Sequence, residues 1–188
     1  MKYNIKMRFY VIISLLCCCF YSCISIEGIT SDYDKLNEEQ KSRIIKYDGS
    51  IEELSVDGNV YVIKTGQVRD FISNHNNVII YDYTPWCKGD NCVSPIMLEK
   101  ICNDNGFKLL LIADSFVEIF KTKSQQSPML FIDYDVYNTK KRNKYIRLFF
   151  DELTQTSEKQ RGCGMFYVFE KGTFKGAKNN ISEVFSGI

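Results

Sequence analysis

Val78-Ile79-Ile80-Tyr81-Asp82-Tyr83-Thr84-Pro85-Trp86-Cys87 is the stretch on which the reading of this chain turns. Residues 78–83 form a nearly continuous apolar run rich in β-branched and aromatic side chains. A strand buried on both faces needs such a run, and strands of that kind belong to parallel sheets covered by helices. The run leads into Trp86-Cys87, and a second cysteine, Cys92, stands five positions on.

The segments on either side repeat the pattern. Val60–Ile63 reads as a short strand, and Gln67–Asn74 places Val68, Phe71 and Ile72 at helical spacing. Val93–Asn105 is helical, with Ile96, Met97, Leu98, Ile101 and Cys102 on its apolar side and Asn105-Gly106 as its stop. Lys108–Ala113 is a second buried strand, Phe116–Lys123 a helix, and Met129–Tyr134 a strand opened by Ser127-Pro128. Residues 139–156 are helical, with Tyr145, Leu148, Phe149 and Leu153 on one side. Met165–Glu170 and Thr173–Lys175 form a hairpin across Lys171-Gly172, and Asn180 caps a last helix, Ile181–Phe185. Strands alternating with helices predict an α/β layer fold, a central mixed sheet flanked by helices. Four or five strands are expected, including 78–83, 108–113, 129–134 and 165–170. The absence of GxGxxG and GxxxxGK[ST] patterns gives no support to a nucleotide-binding loop.

A cysteine pair between a buried strand and a helix points to sulfur chemistry. A helix N-terminus carries unpaired N–H groups and partial positive charge, which stabilise a thiolate. Cys87 and Cys92 can close a small ring, so thiol–disulfide exchange, with one sulfur attacking and the other resolving, is a direct use of this placement. A static structural disulfide uses the same two residues. Cys102 lies on an apolar helix side and reads as core. Cys163, between Gly162 and Gly164, reads as a loop thiol that could still serve as a third redox partner. Zinc would need all four of Cys87, Cys92, Cys102 and Cys163, and only one pair of them is close in sequence.

Composition narrows the remaining classes. The chain has 188 residues, with 24 Lys and Arg against 23 Asp and Glu, so one globular domain fits and a nucleic-acid binder is disfavoured. A single histidine, His75, sits among polar turn formers and excludes a His-rich metal site. Residues 1–22 hold Lys2, Lys6 and Arg8 and no acid, then an apolar run from Phe9 to Phe20, which is a signal-peptide pattern too short for a comfortable membrane span. Ser22-Cys23 at its end resembles the cleavage and lipidation site of a bacterial lipoprotein, although Phe20 and Tyr21 are bulky for one. Loss of residues 1–22 leaves 21 positive and 23 negative charges, a net of −2. The implied compartment is the cell envelope, where disulfides persist. Residues 23–58 then read as a tether with a short helix near Asn37–Ile45.

Over residues 59–188 the chain resembles the thioredoxin-like superfamily, closest to membrane-anchored envelope oxidoreductases and thioredoxin-like lipoproteins. Tyr83-Thr84-Pro85-Trp86-Cys87, Ser127-Pro128-Met129-Leu130-Phe131-Ile132-Asp133 and Phe166-Tyr167-Val168-Phe169-Glu170-Lys171-Gly172 carry the resemblance. It implies a thiol–disulfide oxidoreductase in which Cys87 attacks and Cys92 resolves. It further implies a cis Ser127–Pro128 bond close to Cys87, with Trp86, Ser127 and Pro128 at the substrate. Protein thiols or disulfides and a redox partner protein would be the partners, with no cofactor, metal, nucleotide or nucleic acid. The chain departs from the family in its Cys-x4-Cys spacing, in an insertion over about 135–163, and in Asp82, which lies one position away from the family's buried acid. Thr84-Pro85-Trp86-Cys87 also resembles the Thr-x-x-Cys of peroxiredoxins, with Ile80 where their upstream proline stands. The alternative is a non-catalytic thioredoxin-like lipoprotein that binds or assembles a partner.

Overall fold

The computed structural model describes residues 28–89, 92–124 and 126–186. The stretch 1–22 expected to be a signal peptide, and Cys23 after it, lie outside the described residues.

Seven strands form one sheet: β1 (Ile44–Lys46), β2 (Val60–Ile63), β3 (Asn77–Tyr83), β4 (Lys108–Ala113), β5 (Met129–Ile132), β6 (Phe166–Glu170) and β7 (Thr173–Lys178). Their order is β1-β2-β5-β4-β3-β6-β7. The first five in that order run parallel, and the β6–β7 hairpin adds antiparallel to β3. The fold is therefore an α/β mixed sheet flanked by helices, wider than the four or five strands expected. The additional edge strand is β1, within the expected helix over 37–45. That helix, α1 (Glu38–Ser42), opens with a capping box between Asn37 and Gln40 and stops at Arg43. Ile44 and Ile45 then pair with Val60 and Tyr61. Two β-branched residues beside an unpaired strand edge favour the ladder over another helical turn. Part of the expected tether thus belongs to the sheet.

The strands alternate between two cores. Val78, Ile80, Leu110, Ile112, Leu130 and Ile132 face α2 (Thr65–Asn74) and α4 (Arg142–Thr154), against Val68, Phe71, Tyr145, Phe149 and Phe150. Ile79, Tyr81, Tyr83, Leu111, Ala113 and Phe131 face α3 (Pro95–Asp104), against Leu98 and Cys102. Both faces are buried, so the runs look continuous in sequence although each side chain follows the period of two. Asp82 has the parity of Ile80 and therefore faces the α4 side. The insertion 135–163 contains α4 and the short α5 (Glu158–Arg161), and a last helix, α6, spans Ile181–Phe185. The expected helix over 116–123 is reduced to a 3-10 turn at Ile119–Lys121, because Glu118 takes a left-handed conformation (φ 57°) that stops helix propagation.

Candidate functional site

The parallel strands end at one side of the sheet, where loops converge, and open α/β sheets place their ligand sites there. Cys87 follows β3 at this end, and Cys87 and Cys92 form a disulfide with a Cα–Cα distance of 5.9 Å, within the ordinary range. Two turns shape the loop: Cys87 N–H donates to Thr84 O at 3.0 Å and Cys92 N–H to Gly89 O at 2.9 Å. Cys87 is exposed and Cys92 half-buried, so Cys87 presents the more accessible sulfur. Helix α3 starts three residues after Cys92. It begins at Pro95, behind the N-cap Ser94, whose hydroxyl accepts from Met97 N–H.

Beside the loop lies a cluster of buried charge that no single sequence segment reveals. Asp114 follows β4, and its carboxylate accepts from Arg142 at the start of α4. Thr84 Oγ1 donates to the same Oδ2 at 2.6 Å and accepts from Arg142 Nη2 at 3.0 Å. Tyr145 OH donates to the Asp114 carbonyl. Trp86 lies on the Arg142 guanidinium, with 4.9 Å between Cζ and the ring centroid. Trp86, expected at the substrate, thus clamps the arginine that braces the loop, a cation–π contact. Farther along, Arg161 pairs with Asp151. Asp82, Thr84, Asp114, Arg142, Arg161 and Cys163 line a common cleft of about 560 Å³.

Several buried polar atoms of this cluster have no hydrogen-bond partner, among them Asp114 Oδ1, Arg142 Nε and Arg161 Nε, and Asp82 belongs with them. Its Oδ1 is buried without a hydrogen-bond partner. Burial pushes its pKa well above the usual carboxylate range, and the neighbouring Asp114 adds to this against the opposing pull of Arg142 and Arg161. Burial also pushes Asp114 up, opposed by its contact with Arg142. We assign the proton to Asp82 and the charge to Asp114, because Asp114 holds the arginine. A carboxyl with a raised folded-state pKa stabilises the fold most below its unfolded value near 3.9, and that stability is lost as pH rises through the folded value. Asp82→Asn is therefore expected to raise the melting temperature at pH 8 and to lose this advantage as the pH falls toward 4. Parallel melting curves for both proteins at every pH would contradict this.

The remaining sites expected from sequence separate. Ser127–Pro128 is a trans bond, since no peptide bond among the described residues is cis. Met129 pairs with Leu111, and Leu111 with Tyr81, so Pro128 lies three positions short of the level of Tyr83 and two strands away. That is roughly 10 Å along the sheet and another 10 Å across it. The expected groove of Ser127 and Pro128 beside Cys87 is thus corrected. On the side of β3 away from β4 lies β6, and the backbone reaching the strand end there is that of 162–165: Asp82 N–H donates to Met165 O at 2.8 Å. Gly164 permits this course, since a Cβ there would stand 2.7 Å from Lys178 N. Ser127 instead belongs to a loop tied to buried Glu99, whose Oε1 accepts from Ser127 N–H at 2.8 Å and Gln126 N–H at 3.1 Å.

The other thiols are less reactive than a low-pKa nucleophile. Cys102 is core, and burial pushes its pKa up to about 12. Cys163 is exposed, and its Sγ donates to Glu158 Oε1 at 3.4 Å, which raises its pKa. His75 contacts Glu52 at 2.6 Å, and its ring packs on Phe71, at the amino end of β3 and so opposite the disulfide loop. Among the described residues no group of three or more His, Cys, Asp or Glu side chains could hold a metal ion, and no helix is long and apolar enough to cross a membrane. No protein-family model matches the chain, nor does any curated protein or solved structure.

Proposed function

We propose that this protein is a thioredoxin-like thiol–disulfide oxidoreductase of the bacterial cell envelope, anchored through a lipid on Cys23. One observation carries the redox reading: a short-loop disulfide with one exposed sulfur at the carboxyl end of a central parallel strand. The antiparallel hairpin beside that strand supports the thioredoxin-like reading; β5, placed between β4 and β2, departs from the expected neighbourhood of the dithiol.

In the oxidising direction a partner's thiolate attacks Cys87 Sγ. The Cys87–Cys92 bond breaks, and Cys92 leaves as a thiolate with the electron pair. A second partner thiolate then attacks the partner's sulfur in the mixed disulfide, and Cys87 leaves as a thiolate. The partner gains a disulfide and loses two electrons, while the protein becomes a dithiol. Reduction of a partner runs the same steps in reverse, starting from the Cys87 thiolate. No cofactor is needed.

The capped start of α3 favours a second reading, a structural disulfide in a binding or assembly lipoprotein, because Ser94 rather than a cysteine sulfur satisfies its first turn. A redox titration of the protein, with free thiols alkylated and counted by mass, distinguishes the two. Exchange chemistry expects a pair in equilibrium with glutathione. A potential below roughly −300 mV would assign the pair to structure.

A further inference from the structure

The first described residues of the chain lie across the same end of the sheet as the disulfide loop. Ile29 O accepts from Arg142 N–H at 2.9 Å, Ser31 O accepts from Phe116 N–H at 2.9 Å, and Thr30 bridges to Lys141. Asp32, 4% exposed, closes this strap: its Oδ2 accepts from Gly28 N–H at 2.8 Å and from Ser115 Oγ at 3.4 Å. Gly28 sits against Trp86, where a Cβ would stand only 2.8 Å from Trp86 Cζ2, and its φ of +78° suits glycine. Gly28 and the residue before Cys87 are therefore in contact.

We infer that the disulfide end of the sheet works against the bilayer surface, a conclusion that rests on the proposed lipid at Cys23. Five residue steps separate Cys23 from Gly28. Even fully extended they span at most about 18 Å. The seven residues of β3 alone extend about 23 Å toward the opposite end of the sheet. The tether is shorter than the sheet, so the Trp86–Cys87 loop stays near the lipid headgroups however the domain pivots. Charge at this end fits an anionic membrane surface. Lys88, Lys141 and Lys144 are exposed there, whereas Lys140 faces Asp34 at 3.6 Å and Lys121 pairs with Glu118 at 2.8 Å. A lysine held near anionic lipid adds to membrane attraction. Exchange partners would accordingly present their thiols at the membrane surface.

Trp86 is the only tryptophan, so its fluorescence reports on this loop alone. The full chain is expressed in a bacterial host that processes lipoproteins, purified, and reconstituted into anionic vesicles carrying dansyl-headgroup lipid. A second protein carries a 30-residue Gly/Ser insertion after Ser25, which adds a mean reach of about 30 Å. Both proteins should bind the vesicles, with energy transfer from Trp86 to dansyl several-fold higher in the unmodified chain. Lipidated, vesicle-bound protein that transfers no better than its extended form would overturn the inference and leave the anchor and the redox reading standing. An unmodified Cys23 by mass would overturn the anchor reading and this inference with it.

Discussion

Cys87→Ser is expected to end thiol–disulfide exchange, whereas Cys92→Ser is expected to accumulate mixed disulfides with partner proteins. The asymmetry follows from exposure and from the order of bond breaking. Cys87 presents the accessible sulfur, so the mixed disulfide forms there. Without Cys92 no internal thiolate remains to resolve it, and the adduct persists. Without Cys87 the half-buried Cys92 is left as the loop's sole thiol. Either substitution also opens the six-residue ring, and both should lose a similar stability, about 2 kcal/mol by the chain-entropy relation. Equal stability losses therefore do not distinguish an exchange site from a structural disulfide; the adduct does. Non-reducing gels and intact mass of Cys92→Ser isolated from the envelope provide the measurement. Absence of any adduct, with both variants behaving alike, would leave the structural disulfide as the account of the pair.

Arg142→Ala should be the most damaging single change to the fold of the site. The substitution leaves Asp114, 2% exposed, without its guanidinium partner, and removes a donor to Thr84 Oγ1 and the cation under Trp86. Removing one member of a buried ion pair strands the other charge and typically costs about 3–5 kcal/mol. That is a large share of the roughly 5–15 kcal/mol stability of an ordinary domain. Arg142→Lys should recover part of the loss, since it keeps the charge but cannot present the planar fork that meets Asp114 and Thr84 together. The double variant Asp114→Asn/Arg142→Met should recover more, because it removes both charges. Urea unfolding midpoints at pH 7 test the series, with an unchanged denaturant slope required for comparison. A loss below 1 kcal/mol for Arg142→Ala would mean that water or Arg161 compensates Asp114, and the cluster would not be the brace described.

The N-terminal strap links these two results. Gly28 touches Trp86, Trp86 lies on Arg142, and Arg142 holds Asp114 and Thr84 at the base of the disulfide loop. Disruption of Arg142 should therefore loosen the loop as well as lower stability. Faster reduction of Cys87–Cys92 in that variant would register the coupling.

The sequence by itself determined the layered α/β class, because short β-branched runs such as 78–83 and 108–113, alternating with helical segments, fit strands covered on both faces. It located the disulfide pair at the end of the central strand, since Cys87 and Cys92 are local in the chain. It also marked the hairpin at Lys171-Gly172 and the last helix from chain-local signals. Tertiary structure alone decided what those signals could not contain. Ile44–Lys46 became a strand because β2 offered it an open edge, a partner invisible within three residues of sequence. Ser127-Pro128 stands away from the disulfide loop because order across a sheet is not written along the chain: β5 sits between β4 and β2, and β6 takes the place beside β3. Asp82 was visible as an acid interrupting an apolar run, but its partners were not. Asp114, Arg142 and Arg161 stand 32, 60 and 79 residues farther along, and only the packing of helices α4 and α5 over the strand ends brings them to one cleft. Local chemistry is legible in residue order; buried charge becomes meaningful only once distant segments remove its water.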